Sequence, residues 1–444
     1  MLKKLSFTDE VVDIVTPTNE VLSAKYKRSF AYITVRDRLP ITITNVIDLL
    51  VRDKDKIIDE FGELAKEEIK EVIGQFSKLK NELQTNKPFQ LLTSDGSDVP
   101  AWNAYYERET DREGEVPRWF RTSWIYAECY MYRRIRETFE LSSSLKTFDP
   151  FRKSKEEAFH SSVDAMAILG DYVLQQLQAH GVKRFPSSEM KKVALWGNQY
   201  DLSRPVGSEL PEENDPLKNI QLLSDHVLVD ESEKMWSVLE AAAKHRESIT
   251  IDIVADNAGY ELFADMCLAD TLCAFSLATK IRFYVKTMPW FISDTMEKDF
   301  HWMRHKLLEF SNEYPNLADL ANRWEEHLNL KKWYIEVGDF WTLPHVYSEM
   351  KTADHQLYDK LSDATLIIFK GDLNYRKLLG ETNWAPTESF SNALQGFHPA
   401  PLVTLRTIKA DLICGLKPGQ AEATAAKSEK WLITGDYALI QFDG

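Results

Sequence analysis

Residues 248–255 read Ser-Ile-Thr-Ile-Asp-Ile-Val-Ala and run directly into Asp256-Asn-Ala-Gly. A short β-branched run that ends in a turn sequence is typical of a buried strand. Further strand-like runs lie at residues 280–286, 365–369 and 402–408. Helix-like stretches lie at residues 261–279 and 291–310. Alternation of this kind predicts an α/β domain whose doubly wound, largely parallel sheet has helices on both faces.

The amino-terminal part of the chain has a different pattern. Apolar residues recur there at helical spacing, most clearly over residues 61–83 and 159–177. A later stretch rich in proline and acidic residues, 203–216, reads as a surface connection. We therefore predict a helical bundle domain over residues 1–200, followed by an α/β catalytic domain that binds metal and phosphate over residues 201–444.

Composition limits the classes of partner. The 444 residues include 54 Lys and Arg against 69 Asp and Glu, which gives a formal net charge of −15. Such a charge argues against general binding to nucleic-acid backbones or to anionic membrane surfaces. Any anionic ligand must therefore meet a local cluster of cations or a metal ion.

Cysteine usage and the absence of targeting patterns bear on the compartment. The four cysteines form no C-x-x-C pair, so neither a disulfide framework nor a zinc knuckle is expected. The first ten residues lack the apolar segment of a secretory signal, and no stretch approaches the roughly eighteen apolar residues of a membrane span. We expect a cytoplasmic or nuclear protein.

Polar residues stand where the predicted strands end, which is where open parallel sheets bind ligands. Asp256 and Asn257 follow the first strand, and Asp294 follows the second. This all-oxygen set suits a hard divalent ion such as Mg²⁺ or Mn²⁺ better than zinc. The competing interpretation is that Asp256 and Asn257 only cap the helix that begins near Tyr260.

Cations accompany the last two predicted strands. Lys370 and Arg376 follow one of them, and Arg406 and Lys409 lie at the end of the other. They could hold a phosphate group, with backbone amides of the turn at Gly371 approaching it. The competing interpretation is a solvated turn with ordinary ion pairs.

Several common catalytic motifs are absent from the sequence. There is no G-x-x-x-x-G-K-[ST] loop, no G-x-G-x-x-G loop and no nucleophile elbow, which argues against a P-loop nucleotidase, a standard dinucleotide enzyme and a serine hydrolase. His301 and His305 have the spacing of a zinc-binding helix, but Trp302 occupies the place of the glutamate in H-E-x-x-H. We interpret both histidines as surface residues.

Four segments together carry a resemblance to a known family. They are Asp256-Asn-Ala-Gly-Tyr-Glu, Pro289-Trp-Phe-Ile-Ser-Asp, Phe369-Lys-Gly-Asp-Leu-Asn-Tyr-Arg-Lys-Leu and Leu405-Arg-Thr-Ile-Lys-Ala-Asp. The chain resembles the damage-control phosphatases, most closely the eukaryotic branch whose hallmark is Arg-Thr-x-Lys near the carboxyl end. Members of that branch have also been called acidic residue, or protein-glutamate, methyltransferases. Supporting similarity, as in Leu195-Trp-Gly-Asn, extends over nearly the whole chain.

This resemblance implies a metal-dependent phosphatase of small phosphorylated metabolites, with fructose 1-phosphate and fructose 6-phosphate as expected substrates. It implies metal ligands at Asp256, Asn257 and Asp294, for Mn²⁺, Ni²⁺, Co²⁺ or Mg²⁺. It implies substrate contacts at Asp256, Asn257, Asp372, Leu373, Asn374, Tyr375, Arg376 and Lys409. We expect Asp256, Asp372 and Lys409 to act in catalysis. The nucleophile is open between water, which we favour, and a carboxylate of Asp256 or Asp372.

Two other functions stay open at this point. One is transfer of a methyl group from S-adenosylmethionine to protein carboxylates, which needs no cation and would survive a chelator. The other is a non-catalytic module that binds sugar phosphates without releasing phosphate. Neither protein partners nor an oligomeric state can be assigned from the sequence.

Overall fold

The computed structural model describes residues 11–178, 195, 217, 223–245 and 248–444. Contacts between Cα atoms group the chain into two units. The first comprises the chain up to Pro150 with Thr342–Val346 and Glu381–Trp384, and the second comprises Phe151–Trp341, Tyr347–Gly380 and Ala385–Gly444. The site predicted from the sequence lies wholly in the second unit.

The first unit is helical, as its apolar spacing predicts. Its helices are α1 (Phe30–Ile33), α2 (Leu39–Arg52), α3 (Lys54–Phe61), α4 (Ala65–Gln84), α5 (Val99–Glu113) and α6 (Trp124–Glu140). The pattern over residues 61–83 is that of α4, which buries Ile69, Val72 and Phe76. The helix does not extend back to Phe61, because Gly62 adopts a φ of 91° and ends α3.

The second unit alternates helices and strands. Its helices are α7 (Arg152–Ser161), α8 (Val163–Gln178), α9 (Ser232–His245), α10 (Tyr260–Ala274), α11 (Glu297–Glu309), α12 (Pro315–Asn329), α13 (Met350–Ala353), α14 (His355–Ser362), α15 (Gly371–Leu378), α16 (Phe390–Ala393) and α17 (Gln420–Lys427). Its strands are β1 (Val227–Asp230), β2 (Thr250–Val254), β3 (Lys280–Val285), β4 (Trp333–Val337), β5 (Leu366–Lys370), β6 (Leu402–Thr407) and β7 (Ala438–Asp443). In the described ranges, no helix has both the length and the apolar character needed to cross a bilayer.

These strands form one sheet in the order β1-β7-β6-β5-β2-β3-β4. Strands β2 to β6 pair in parallel, and β7 is antiparallel to β6. Every residue of β5 and β6 is buried, as expected where helices cover both faces of a sheet. The predicted α/β class and the largely parallel, doubly wound sheet are therefore confirmed.

The order of the strands creates a crevice between β2 and β5. From β2 the chain proceeds to β3 and β4 on one side, and it then returns to place β5 against the opposite edge of β2. Connections that leave two neighbouring strands in opposite directions open a gap outside their carboxyl ends, and open α/β sheets bind ligands in that gap. The turns that follow β2 and β5 bound this crevice.

The boundary predicted at residue 200 lies outside the described residues. The helices α7 and α8, which we predicted within the amino-terminal domain, group with the sheet instead. Packing explains the difference, since Met166, Leu169 and Val173 of α8 lie in the same apolar core as Phe263 of α10 and the inner faces of the strands. Amphipathic spacing reveals that a helix has a buried face but not which element covers it.

Candidate active site

The turns after β2 and β5 meet in the crevice. Asp256 follows β2 and is 6% exposed. Gly371, the first residue after β5, has a φ of +81°, and a Cβ atom there would collide with the Asp256 carboxylate. Only glycine permits this conformation together with so close an approach. Asp256 and the segment that starts at Asp372 are thereby brought together, although they are far apart in the sequence.

The loop after β3 completes this edge of the sheet. Asn257 and Asp294 form an antiparallel backbone bridge, and the Thr295 N–H donates to the Asp256 carbonyl at 2.8 Å. The three residues implied as metal ligands thus lie on two adjoining backbone segments. Each is less than a tenth exposed.

The loop that carries Asp294 has a strained backbone. Phe291 and Ile292 have φ values of 42° and 70°, a region that bulky and β-branched residues rarely adopt. Strain of this kind persists where the surroundings impose it. Here Trp290 is fully buried and Ala258 N–H donates to the Ser293 carbonyl at 2.8 Å, so the loop is held from two sides.

The side-chain amide of Asn257 is held at both ends. Its Nδ2 donates to Asp256 Oδ2 at 2.9 Å and to Glu261 Oε2 at 2.8 Å. Its Oδ1 accepts from Ser293 Oγ at 2.6 Å. Because an amide oxygen has two lone pairs, this hydrogen bond leaves one acceptor position on Oδ1.

The donor chemistry of this edge fits a hard divalent ion. Asp256 and Asp294 supply carboxylate oxygens and Asn257 an amide oxygen. Within the described ranges, no group of three or more His, Cys, Asp or Glu side chains is arranged to hold a metal. A closed protein cage is not what Mg²⁺-like ions need, because they bind through one or two carboxylates and complete their shell with water and substrate phosphate.

Lys370 does not have the role in phosphate binding that its position at a strand end suggested. Its Nζ lies 2.5 Å from Asp265 Oδ1 and 3.1 Å from Glu261 Oε1, and the side chain is completely buried. Burial disfavours its charge, but the two carboxylates raise the pKa of Lys370 to about 12. The ammonium is therefore committed to these two acids, so the ion pairs of the competing interpretation are present, although the side chain is buried rather than solvated.

Arg406 is likewise committed to the protein. Its Nε donates to Asp372 Oδ1 at 2.7 Å, and its two terminal nitrogens donate to the carbonyls of Leu412 and Ala410 at 2.9 and 3.1 Å. The guanidinium also lies over the Tyr375 ring, 4.1 Å from its centroid. Arg406 thus fixes Asp372 and the loop after β6, which explains an arginine at the start of the Arg-Thr-x-Lys motif.

Lys409 stands in the more open part of the site. It is partly exposed, and its backbone N–H donates to Asp372 Oδ1 at 3.2 Å. One carboxylate oxygen therefore links the start of α15 to the loop that carries this lysine. Lys409 is placed beside the crevice by its backbone, whereas Arg376, on the last turn of α15, is buried.

The segment after Asp372 presents its backbone more than its side chains. Asn374 Nδ2 donates to the Lys370 carbonyl at 2.7 Å, and Tyr375 Oη donates to Gln441 Oε1 at 2.7 Å. Leu373 is buried as well. What the segment offers to a ligand is the amino terminus of α15, where the first N–H groups lack partners within the helix and favour anions.

One residue that sequence reasoning missed is Lys286. It directly follows β3 and is 3% exposed, and its Nζ lies 3.0 Å from Asp294 Oδ2 and 3.4 Å from the Ala255 carbonyl. The ammonium ties a proposed metal ligand to the end of β2. Its signal was available, since it occupies the same place after β3 that the turn residues occupy after β2.

A family model for the damage-control phosphatase ARMT1-like domain matches residues 34–424. The chain belongs to this family. The resemblance drawn from the four motifs is thereby confirmed, and all residues of the site fall within the matched range. As a member of the damage-control phosphatase family the chain is an enzyme, a phosphatase.

Several curated relatives named damage-control phosphatase ARMT1 are similar to the chain over nearly its full length. The relative from Mus musculus is 41% identical over 432 residues, 95% of this chain and 98% of the relative. Those from Danio rerio and Homo sapiens are 40% and 39% identical, again over 95% of this chain and over 96% and 98% of theirs. A DUF89 family protein from Pyrococcus horikoshii, solved by crystallography, aligns with 80% of this chain and 93% of its own at 15% identity, with a TM-score of 0.42.

Proposed function

We propose that this phosphatase hydrolyses small phosphorylated metabolites with the help of a divalent metal ion, and that fructose 1-phosphate and fructose 6-phosphate are among its substrates. The observation that carries the proposal is the close approach of Asp256 to Gly371. It joins the oxygen donors after β2 to the helix amino terminus after β5 and, through Asp372, to Lys409. A phosphate ester and a cation can be held side by side at such a junction.

In this proposal, Asp256, Asn257 and Asp294 hold the ion, which is Mn²⁺, Ni²⁺, Co²⁺ or Mg²⁺. When bound, the ion neutralises phosphoryl charge and supports attack on phosphorus. Two carboxylates and one amide leave room in its shell for phosphate oxygens and water. Lys286 keeps the Asp294 carboxylate in place from the side of β3.

The remaining residues hold the phosphoryl group. The Lys409 ammonium and the first N–H groups of α15 are proposed to bind its oxygens, where charge is spread in the transition state of phosphoryl transfer. Arg406 fixes this arrangement in advance, because it holds Asp372, which in turn accepts from the Lys409 N–H. Such preorganisation lowers the barrier, since these donors need not reorient during the reaction.

We propose water as the nucleophile rather than a carboxylate. Asp372 Oδ1 accepts from both Arg406 Nε and the Lys409 N–H, and Asp256 Oδ2 accepts from Asn257 Nδ2. A carboxylate oxygen that already accepts hydrogen bonds has fewer lone pairs left to attack phosphorus. Both acids therefore suit the roles of acceptor and metal ligand better than attack on phosphorus.

The test is a phosphate-release screen over a panel of phosphorylated metabolites, with Mn²⁺, Ni²⁺, Co²⁺ and Mg²⁺ supplied separately. We expect release from sugar phosphates, fructose 1-phosphate and fructose 6-phosphate included, with at least one of the ions. Binding of these sugar phosphates without release would favour the non-catalytic module. Methylation of protein carboxylates by S-adenosylmethionine in the presence of a chelator, with no phosphate release, would favour the methyltransferase.

A further inference from the structure

A cluster of buried charges lies directly behind Asn257. Glu261, Asp265 and Lys370 form it, and we call these three residues the Lys370 cluster. Each is at most 2% exposed. Lys370 Nζ contacts one oxygen of each acid, and the second oxygen of Glu261 accepts from Asn257 Nδ2 at 2.8 Å. The cluster is therefore continuous with the proposed metal ligands.

Burying such a cluster in a protein interior is unfavourable in free energy. Removing charged groups from water costs several kcal/mol per ion, and buried ion pairs replaced by apolar residues of similar size often leave a protein equally or more stable. The Lys370 cluster holds two acids and one base, and one of the acids, Glu261, directs its second oxygen to Asn257 rather than to the ammonium. Packing alone does not account for it, whereas its contact with Asn257 gives it a use.

That use follows from the chemistry of a side-chain amide. Asn257 Nδ2 has two protons, and the two carboxylates of Asp256 and Glu261 accept from it at 2.9 and 2.8 Å. If the amide turned over, its oxygen would face both carboxylates and lose both hydrogen bonds. Glu261 and Asp256 together therefore orient the Asn257 amide so that its oxygen faces Ser293 and the Asp294 loop.

We propose that Glu261, anchored by Lys370 and through it by Asp265, is a positioning residue that keeps the Asn257 amide oxygen directed toward the metal-binding edge. The inference rests on the proposed function, since it gives a reason for Glu261 only if Asn257 ligates an ion. Glu261 itself contacts neither the ion nor the substrate in this account. Its role is to hold a ligand in the one orientation that can bind a cation.

The substitution Glu261→Gln separates this role from packing, because it conserves shape and removes one acceptor. One oxygen of Glu261 is paired with Lys370, whose Nζ lies 3.1 Å away, and the other accepts from Asn257 Nδ2. A glutamine has a single oxygen, and the charged ammonium is the stronger donor for it. The glutamine NH₂ would then face Asn257 and favour the reversed amide.

The experiment is a Mn²⁺ titration of the full chain, with unbound Mn²⁺ followed by electron paramagnetic resonance. Wild type is expected to bind, and Glu261→Gln is expected to bind about 10- to 100-fold more weakly, as is usual when the partner of a metal ligand is lost. Phosphate release by this variant should return toward the wild-type value at high Mn²⁺. Asp270→Asn is the matched control, since Asp270 is a buried acid on the same helix α10 that pairs with Arg323 and His327 instead.

The outcomes separate the two proposals. Absence of Mn²⁺ binding to wild type contradicts the metal site itself. If Glu261→Gln binds Mn²⁺ as tightly as wild type, the role of Glu261 is overturned and the metal site remains. The role of Glu261 is also overturned if Asp270→Asn loses as much Mn²⁺ affinity as Glu261→Gln does. If Glu261→Gln does not fold, Glu261→Asp retains the charge opposite Lys370 but falls short of Asn257, and the same loss of affinity is expected. Failure of both variants to fold makes Glu261 a structural residue and rejects the proposal.

Discussion

Strand β2 carries one buried aspartate within it, Asp252, and a second just beyond its end, Asp256. Their exposures are 0% and 6%. Asp252 receives two hydrogen bonds from Arg282 of the neighbouring strand, at 2.5 and 2.7 Å. Asp256 lies instead against Gly371 and beside Asn257, where the loops from three strands converge.

Burial and charge alone therefore do not mark a functional site. Both aspartates are removed from water, yet only one stands at the end of a strand next to the crevice. Arg282 occupies both oxygens of Asp252 with a planar fork, which is the arrangement expected of a structural pair. From its position relative to the strand end we propose a chemical role for Asp256, and from its pairing with Arg282 a structural role for Asp252.

The largest effect on phosphate release should separate two single variants, one at Asp256 and one at Asp252. Asp256→Ala is expected to reduce phosphate release by about a thousandfold or more while the protein stays folded, because it removes a charge that the ion and the phosphoryl group require. Asp252→Asn should do the opposite, with turnover per folded molecule unchanged and a loss of about 3 to 5 kcal/mol in the free energy of unfolding. Phosphate-release rates and urea denaturation of both variants measure this. Similar turnover in the two variants would remove the distinction.

Lys409 sharpens the comparison from the phosphate side of the crevice. Lys409→Ala is expected to lose about a hundredfold in kcat/KM, as when one preorganised donor is removed from a transition state. Lys409→Arg should recover part of the loss, because a planar guanidinium cannot take the place of a compact ammonium. Steady-state kinetics with fructose 1-phosphate, together with substrate affinity in the presence of metal, check the prediction. Equal losses in affinity and in rate would show that Lys409 does not act in the transition state.

Asp294→Asn should have a smaller and reversible effect. One oxygen donor remains, so we expect the affinity for Mn²⁺ to fall by about tenfold to a hundredfold and excess ion to restore most of the rate. The measurement is the Mn²⁺ dependence of phosphate release by wild type and variant. A variant that stays slow at saturating Mn²⁺ would indicate that Asp294 does more than hold the ion.

The smallest expected effect is on the pH dependence of the free energy of unfolding, and it comes from a third buried aspartate, Asp265. Burial, with the neighbouring charge of Glu261, raises the pKa of Asp265 to about 7 although Lys370 opposes the rise. Between the ordinary value of 3.8 and about 7 the folded protein therefore holds a proton that the unfolded chain has lost. This contribution to stability is complete below pH 4 and is lost as the pH rises to 7, by at most about 1.4 kcal/mol per pH unit.

Asp265→Asn should remove that dependence. The difference in free energy of unfolding between wild type and variant, from urea denaturation at pH 5, 6 and 7, should shift steadily against wild type as the pH rises. A constant difference for Asp265→Asn would contradict the assignment.

Much of the sheet is predictable from the sequence, and the reason is burial. β2, β3, β5 and β6 are continuous apolar or β-branched runs because helices cover both of their faces. The edge strands β1 and β4 escaped prediction, since they are short and mostly half-exposed and so carry no continuous apolar run. β7 escaped as well, although its first four residues are buried.

The site was predictable only in part. Asp256, Asn257 and Asp294 stand at strand ends in the sequence, and the family motifs give them roles. The sequence does not show which of the cations are available to bind a ligand. Lys370 is paired with Asp265 and Arg406 with Asp372, and only the folded chain brings these residues together. Tertiary contacts thus decide between residues of the same type at equivalent positions.

Phosphate release should depend on an ion held at the carboxyl edge of the sheet, where the turns after β2 and β3 meet. The most direct measurement follows release from fructose 1-phosphate by one wild-type sample as purified with Mn²⁺, after removal of metal with a chelator, and after Mn²⁺ is returned. We expect release to stop when the metal is removed and to return in full with Mn²⁺, while circular dichroism shows an unchanged fold. Undiminished release from protein shown by elemental analysis to be free of metal would contradict it.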